Sequence, residues 1–123
     1  MIPLVDTHVH LFAGRDDGPS TPDEAIAMCR MLVAEGARSA AALAHQNKTY
    51  PDNTPEALRA SCAALAESLK AEKITLAVSP TAEVMASADL VEQWTSGQLL
   101  SVADHKQFLL VEQPHGIFLH LAR

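Results

Sequence analysis

The sequence is poor in cysteine, and this scarcity excludes two kinds of stabilising site. Its two cysteines, Cys29 and Cys62, form neither a Cys-x-x-Cys pair nor a spacing typical of a disulfide framework. Both lie in helix-like segments. We expect two free and largely buried thiols, because free cysteine is among the most buried residue types.

Aromatic residues and clustered positive charge are scarce as well. One Trp, one Tyr and three Phe residues offer no platform on which nucleic acid bases could stack. The formal net charge is −6 and no cluster of Lys or Arg occurs, so nothing would attract nucleic acid phosphates. We expect no nucleic acid partner. If the substrate is a phosphate ester, bound metal must supply much of the positive charge.

Long apolar runs are also missing. No segment approaches the roughly 20 apolar residues that a membrane span needs, and no basic stretch precedes an apolar run near Met1 as in a signal peptide. We therefore expect no membrane insertion and a cytoplasmic location. The content of 48% hydrophobic and 20% charged residues is typical of one globular domain.

Strand-like and helix-like segments alternate along the chain, a pattern that predicts a parallel sheet with helices packed on it. Strands are predicted over residues 2–5, 39–44, 74–78 and 108–111. Two helices are predicted to start at Thr21-Pro22 and Thr54-Pro55, with Thr as N-cap and Pro in the first turn. The first should end at Gly36, and a shorter helix should cover residues 87–94. The predicted buried stripes are Ile26, Met28, Cys29, Leu32 and Val33 in the first helix, and Leu58, Cys62, Leu65 and Leu69 in the second.

The clearest chemical motif is Asp6-Thr7-His8-Val9-His10 at the end of the first strand. Side chains alternate along a strand, so Asp6, His8 and His10 are predicted on one face. Two imidazoles on one face can share a metal ion. A short His pair also occurs on ordinary surfaces, and the motif alone is only moderately specific.

Further ligand-type residues follow the other predicted strands. His45, Glu83 and Glu112 lie at or just after strand ends, and Asp17 lies in the loop after the first strand. The carboxyl ends of parallel strands meet at one rim, where these side chains would converge. Crowded carboxylates repel one another unless cations lie between them. Mixed imidazole and carboxylate ligands suit Mn²⁺, Fe²⁺ or Zn²⁺, so the sequence predicts a divalent metal site.

These motifs resemble those of a known family. Asp6-Thr7-His8-Val9-His10, Asp16-Asp17-Gly18-Pro19 and Thr21-Pro22-Asp23-Glu24, followed by His45, Glu83 and Glu112, resemble in order and spacing the PHP-type protein-tyrosine phosphatases of bacterial capsule and exopolysaccharide synthesis. The resemblance covers nearly all of the chain. It implies an α/β fold, an incomplete distorted (β/α)7 barrel whose parallel strands have helices packed outside. It also implies a manganese-dependent site for up to three ions, which hydrolyses phosphotyrosine in proteins through a metal-activated hydroxide.

The resemblance also implies a role for each motif residue. His8 and His10 would bind one metal, Glu83 would bridge two, Asp17 and His45 would bind another, and Glu112 would complete the remaining site. Asp6 would orient a ligating imidazole without binding metal itself. Gln46 stands where family members commonly carry a second consecutive histidine, and we expect it either behind a metal ligand or near the substrate. His105, His115 and His120 are interpreted as turn, exposed or core histidines.

The family's later ligands, a histidine and an Asp-x-His motif, have no counterpart in this chain. The resemblance therefore implies that residues 1–123 are the N-terminal part of the phosphatase domain. Four parallel strands with an unprotected edge would expose apolar surface, which favours a homo-oligomer.

Three functional hypotheses remain open at this point. The first is hydrolysis of phosphotyrosine on a protein, such as a bacterial tyrosine kinase of polysaccharide synthesis. The second is a PHP phosphatase that acts on a small phosphate monoester. The third is a truncated remnant that binds metal but does not turn over substrate.

Overall fold

The computed structural model describes residues 2–114, in which four strands alternate with helices. The elements are β1 (Leu4–His10), α1 (Pro22–Ala34), β2 (Ala37–Gln46), α2 (Pro55–Ala71), β3 (Ala77–Met85), α3 (Leu90–Thr95), a 3₁₀ turn (Val102–Asp104) and β4 (Leu110–Glu112). The strands form one sheet in the order β1-β2-β3-β4, and every neighbouring pair is parallel. The predicted α/β class with parallel strands is confirmed.

Both predicted helix starts are confirmed. Thr21 caps α1 by accepting a hydrogen bond from the Glu24 backbone N–H, and Thr54 caps α2 in the same way through Ala57. In each helix a proline occupies the first turn, where a missing N–H costs nothing. Gly36 follows α1 with a φ of 102°, a conformation that glycine adopts without strain.

The core lies between the sheet and the first two helices. The stripe predicted for α2 is buried throughout. Of the stripe predicted for α1 only Cys29 is fully buried, and Ile26, Met28, Leu32 and Val33 are partly buried. Residues 40–44 of β2, four alanines and one leucine, are all buried. These small side chains let the helices approach the central strands closely. Both cysteines are free and buried, as expected.

The predicted strand boundaries were less accurate than the helix starts. The third strand was predicted over residues 74–78, but β3 begins at Ala77 and continues to Met85. Pro80 lies inside it, and proline usually marks the end of a strand because it lacks an N–H. Here β3 pairs with β2 along its whole length but with β4 only from Glu83 onward. Pro80 therefore lies in a part of β3 that, within the described residues, has no neighbouring strand on the β4 side.

The other boundaries shift by a few residues. The first strand continues to His10 instead of ending at Val5, and β4 covers Leu110–Glu112 instead of residues 108–111. The short helix covers Leu90–Thr95 instead of residues 87–94. His8, His10, His45 and Glu83 therefore lie within the carboxyl-terminal parts of strands and not in the loops after them.

A bulge interrupts β1 next to its histidines. Asp6 pairs with Ala40 and Val9 with Ala42, so β1 advances by three residues while β2 advances by two. Such bulges re-aim side chains. The simple alternation that predicted Asp6, His8 and His10 on one face is therefore broken between Asp6 and Val9.

The two outer strands leave apolar side chains exposed. Ile2, Leu4 and Val5 are exposed on the β1 side, and Phe108 and Val111 on the β4 side. Within residues 2–114 no helix is both long and apolar enough to cross a membrane. His115 and His120 lie outside the described residues.

Candidate metal centre

The carboxyl ends of the four strands bring all six predicted ligands together. Three overlapping groups of ligand atoms each lie within 4.8 Å of one another among the described residues. The groups are His8, His10 and Glu83; His45, Glu83 and Glu112; and His10, Asp16, Asp17 and His45. Five of the six side chains come from strands, with His45 directly opposite Glu83 in the β2–β3 register. The sixth, Asp17, comes from the loop after β1.

Glu83 is the centre of this cluster. Its Oε2 atom lies 2.8 Å from His10 Nε2 and 3.6 Å from His45 Nδ1, and its Oε1 atom lies 3.4 Å from His8 Nε2. The side chain is only 11% exposed. A carboxylate that faces three imidazoles with its two oxygens could hold a divalent metal together with them.

Two buried atoms in the cluster have no hydrogen-bond partner among residues 2–114. His45 Nδ1 and Glu112 Oε2 lie 3.2 Å apart, yet no hydrogen bond within this part of the chain satisfies either of them. A buried polar atom left unpaired costs free energy and requires an explanation. A divalent ion ligated by both atoms would satisfy them, so the residues present fit a metal.

Asp16 belongs to the cluster although the sequence motifs gave it no role. Its side chain is 1% exposed. Its Oδ2 accepts hydrogen bonds from His10 Nδ1 and from the His45 backbone N–H, both at 2.9 Å, and its Oδ1 accepts one from Gly18 N at 2.9 Å. The only available signal was its position beside Asp17, and adjacent carboxylates cannot be told apart by residue type.

The charges of this pair affect each other. Burial pushes the pKa of Asp16 upward, but the hydrogen bonds from His10, Gly18 and His45 outweigh it and leave that pKa below its ordinary value. The hydrogen bond to Asp16 raises the pKa of His10 above its ordinary value, although burial opposes the shift. Asp16 thus remains a carboxylate beside His10.

Asp17 differs from its neighbour in exposure. Its side chain is 73% exposed, and its Oδ1 lies 3.3 Å from His45 Nε2. Since Nδ1 of the same ring faces Glu83 and Glu112, the His45 imidazole stands between two groups of carboxylates. Either ring nitrogen therefore has a carboxylate with which it could share an ion.

Asp6 and Gln46 do not contact the imidazole rings through hydrogen bonds. Asp6 Oδ1 accepts a hydrogen bond from the His8 backbone N–H at 3.0 Å, a contact that stabilises the backbone of the bulge. Gln46 is buried, and its amide donates to the carbonyl oxygens of Asn53 and Gln98 and accepts from Leu100 N. Its contacts join the loop before α2 to residues 98–100.

An open cavity adjoins the cluster. The ring of Tyr50 stacks on that of His45, with centroids 5.8 Å apart and an interplanar angle of 12°. Tyr50 also lines a cavity of about 790 Å³ between the loop after β2 and the segment around α3. Tyr50 therefore contacts both a candidate metal ligand, His45, and this cavity.

Comparison with known proteins agrees with this architecture. The chain is 32% identical over 111 residues to the tyrosine-protein phosphatase YwqE of Bacillus subtilis, a match that covers 90% of this chain and 43% of that protein. A crystal structure reported for YwqE from Bacillus subtilis and CpsB from Streptococcus pneumoniae, described as unique metal-dependent tyrosine phosphatases, matches with a TM-score of 0.85 at 32% identity. That match covers 90% of this chain and 44% of the solved one.

The chain thus spans less than half the length of the relatives that it matches. Its four parallel strands with their helices form an incomplete barrel of the PHP type. Residues 4–118 match the family model for capsular polysaccharide synthesis, CpsB/CapC. With a match over most of its length and a shared fold, this chain belongs to the CpsB/CapC family.

Proposed function

We propose that this chain carries the metal-binding part of a protein-tyrosine phosphatase. One observation carries the proposal: Glu83 faces three histidines, while the buried atoms His45 Nδ1 and Glu112 Oε2 have no hydrogen-bond partner among the residues that the structure describes. The relatives named as metal-dependent tyrosine phosphatases support the reaction type.

The chemistry of the cluster suits hydrolysis of a phosphate ester. Divalent ions, when bound, neutralise the phosphate and activate a water molecule for attack on phosphorus. The protein's own residues hold the ligands: Asp16 fixes His10, and Tyr50 packs on His45. Neither cysteine is followed by arginine six positions later, as a cysteine-dependent phosphatase loop would require, so the chain offers no cysteine nucleophile for this reaction.

We propose Mn²⁺ as the metal, with Fe²⁺ and Zn²⁺ as alternatives. Three imidazoles mixed with carboxylates form a ligand set that these ions share. Carboxylates on both sides of His45 provide room for more than one ion, and up to three in the complete site.

The cavity beside Tyr50 favours a protein substrate over a small phosphate monoester. This cavity of about 790 Å³ offers room for the residues that flank a phosphotyrosine in a protein, which a small monoester lacks. The family description names capsular polysaccharide synthesis, and we propose a tyrosine kinase of that process as the protein substrate. We place the reaction in the cytoplasm, where free thiols such as Cys29 and Cys62 stay reduced.

We further propose that residues 1–123 are the N-terminal part of the phosphatase domain, so that additional ligands come from other residues. The coverage of 43% of YwqE supports this proposal. A second copy of the chain could supply the missing groups instead, and turnover would then rise with protein concentration. A remnant that binds metal without turnover is the remaining alternative, favoured by the same coverage.

The test measures hydrolysis after metal loading. The chain is stripped with a chelator, reloaded with Mn²⁺ and assayed with an aryl phosphate, a phosphotyrosine peptide and a sugar phosphate. We expect Mn²⁺-dependent turnover that favours the two aryl substrates and is absent from a His8→Ala, His10→Ala variant. The matched control is His105→Ala, because His105 is exposed and outside the cluster. Bound metal without turnover would support the remnant, and preference for the sugar phosphate would support the small-monoester enzyme.

A further inference from the structure

We propose that Asp16 is a positioning residue that fixes the His10 ring and ties it to His45, and that it is not a second metal ligand beside Asp17. This inference rests on the proposed metal site and assigns different roles to two consecutive residues of identical chemistry. It depends on three observations: the saturation of the Asp16 oxygens, their position between two strands, and the exposure of Asp17.

The oxygens of Asp16 are already occupied by donors. Oδ2 accepts from His10 Nδ1 and from the His45 backbone N–H, and Oδ1 accepts from the Gly18 backbone N–H, each at 2.9 Å. The side chain is 1% exposed. A metal bound to Asp16 would compete with these three hydrogen bonds, two of which come from backbone groups that have little freedom to move.

The same contact determines which His10 nitrogen faces the metal ligands. A carboxylate can only accept, so the contact with Asp16 holds a proton on Nδ1 and leaves Nε2 as the nitrogen that would bind a metal. Nε2 lies 2.8 Å from Glu83 Oε2, the carboxylate at the centre of the cluster. A carboxylate behind a ligating histidine is a common arrangement that fixes the tautomer and the ring orientation.

Asp16 also joins two strands. His10 is the last residue of β1 and His45 lies near the end of β2, and one oxygen of Asp16 holds both. The ring centroids of these histidines are 4.7 Å apart. Gly18 closes the loop so tightly that an added Cβ would lie 3.0 Å from the Cβ of His10 and 3.1 Å from Asp16 Oδ1. The loop thus holds Asp16 in one place.

Asp17 has the opposite properties. It is 73% exposed, and its closest cationic or imidazole partner is His45 Nε2 at 3.3 Å. No hydrogen bond to its side chain occurs within residues 2–114 at the distances seen for Asp16, so its oxygens are free to coordinate. The two residues therefore provide a matched pair of variants, Asp16→Asn and Asp17→Asn, which keep the size of the side chain and remove the same charge.

The first readout needs no metal and no variant. Long-range ¹H–¹⁵N spectra of the metal-free chain report the tautomer of each neutral histidine. We expect His10 to carry a proton on Nδ1, with or without a second proton on Nε2, which faces Glu83. A His10 ring whose only proton is on Nε2 would overturn the proposal, because Asp16 would then not be the acceptor of an Nδ1 proton. This result does not depend on whether the chain binds metal or has phosphatase activity.

The second readout compares Mn²⁺ binding by titration calorimetry. For Asp16→Asn we expect unchanged stoichiometry and affinity lowered by about 10- to 100-fold, the usual effect of removing the partner of a metal-bound histidine. For Asp17→Asn we expect the loss of one binding step. A lost binding step in Asp16→Asn, or unchanged affinity with an unchanged His10 tautomer, would overturn the positioning role. Absence of Mn²⁺ binding by the unaltered chain would instead refute the proposed function.

Discussion

The candidate metal ligands could be predicted from the sequence, because their residue types and their positions at strand ends are both visible in it. His8, His10, His45, Glu83 and Glu112 follow or end strand-like segments, and parallel strands bring such positions to one rim. The different roles proposed for Asp16 and Asp17 could not be predicted. They depend on which of the two carboxylates is buried, and the path of the loop at Gly18 determines that.

The role of Gln46 was equally hard to foresee. Consecutive residues of a strand point to opposite faces, so the placement of His45 toward the cluster directs Gln46 toward the helices. Its contacts with Asn53, Gln98 and Leu100 depend on loops whose paths no local pattern determines.

Removing the charge of Glu83 should abolish tight metal binding. We expect Glu83→Gln to fold normally, because the amide keeps the size of the side chain, and to bind Mn²⁺ at least about 10-fold more weakly because an amide oxygen is a poorer ligand for a shared ion. Calorimetric titration measures the change. Glu92→Gln, on the exposed part of α3, is the control, and equal affinity in the two variants would contradict the central place of Glu83.

Truncation of Gln46 should reduce stability without changing metal affinity. We expect Gln46→Ala to lower the free energy of unfolding by about 1–3 kcal/mol, because two carbonyl groups and the Leu100 N–H lose their buried partner. Urea denaturation measures it, with the exposed Gln107→Ala as control. Weaker Mn²⁺ binding at unchanged stability would show that Gln46 acts at the metal site.

At the scale of elements, helix starts were predictable and strand ends were not. A Thr-Pro pair determines the first turn locally, and α1 and α2 begin where these pairs stand. The end of a strand depends on which neighbour is present. Pro80 lies inside β3, and this is tolerated because β4 pairs with β3 only from Glu83 onward. The position where β4 begins to pair depends on tertiary structure and cannot be read from the local sequence.

The buried face of α2 leads to a prediction about Cys62. Burial raises the pKa of this thiol to about 11, so at about pH 8 it remains protonated, and only the thiolate is nucleophilic. We expect neither Cys62 nor the buried Cys29 to react with a disulfide reagent in the folded chain. Both should react once urea unfolds it. Rapid reaction of Cys62 in the folded state would contradict the packing of α2 against the sheet.

At the scale of the whole molecule, the sheet formed by residues 2–114 has two open edges at which another chain could associate. Leu4 and Val5 of β1 and Val111 of β4 are exposed, as are Ile2 and Phe108, which precede these two strands. Exposed apolar strand edges favour association with another chain. The net charge of −6 opposes association only weakly at physiological salt, because it is screened over about 8 Å.

We therefore expect the chain to self-associate through its sheet edge. Light scattering after size exclusion should show a mass above that of the monomer, and Val5→Lys should shift the chain toward the monomer because a buried lysine at the interface is costly. Met31→Lys is the control, since Met31 is also exposed but lies on α1. An effect of Met31→Lys equal to that of Val5→Lys would place the interface on the helices instead.

Metal content is the most direct test of the account. The chain, its His8→Ala, His10→Ala variant and its His105→Ala variant would be loaded with Mn²⁺, desalted and analysed by mass spectrometry of the metal. We predict that the unaltered chain and His105→Ala retain stoichiometric Mn²⁺ and that the double variant loses at least the ion shared by His8, His10 and Glu83. Equal retention by all three proteins, or no retention by any, would contradict the assignment of a metal centre to this rim.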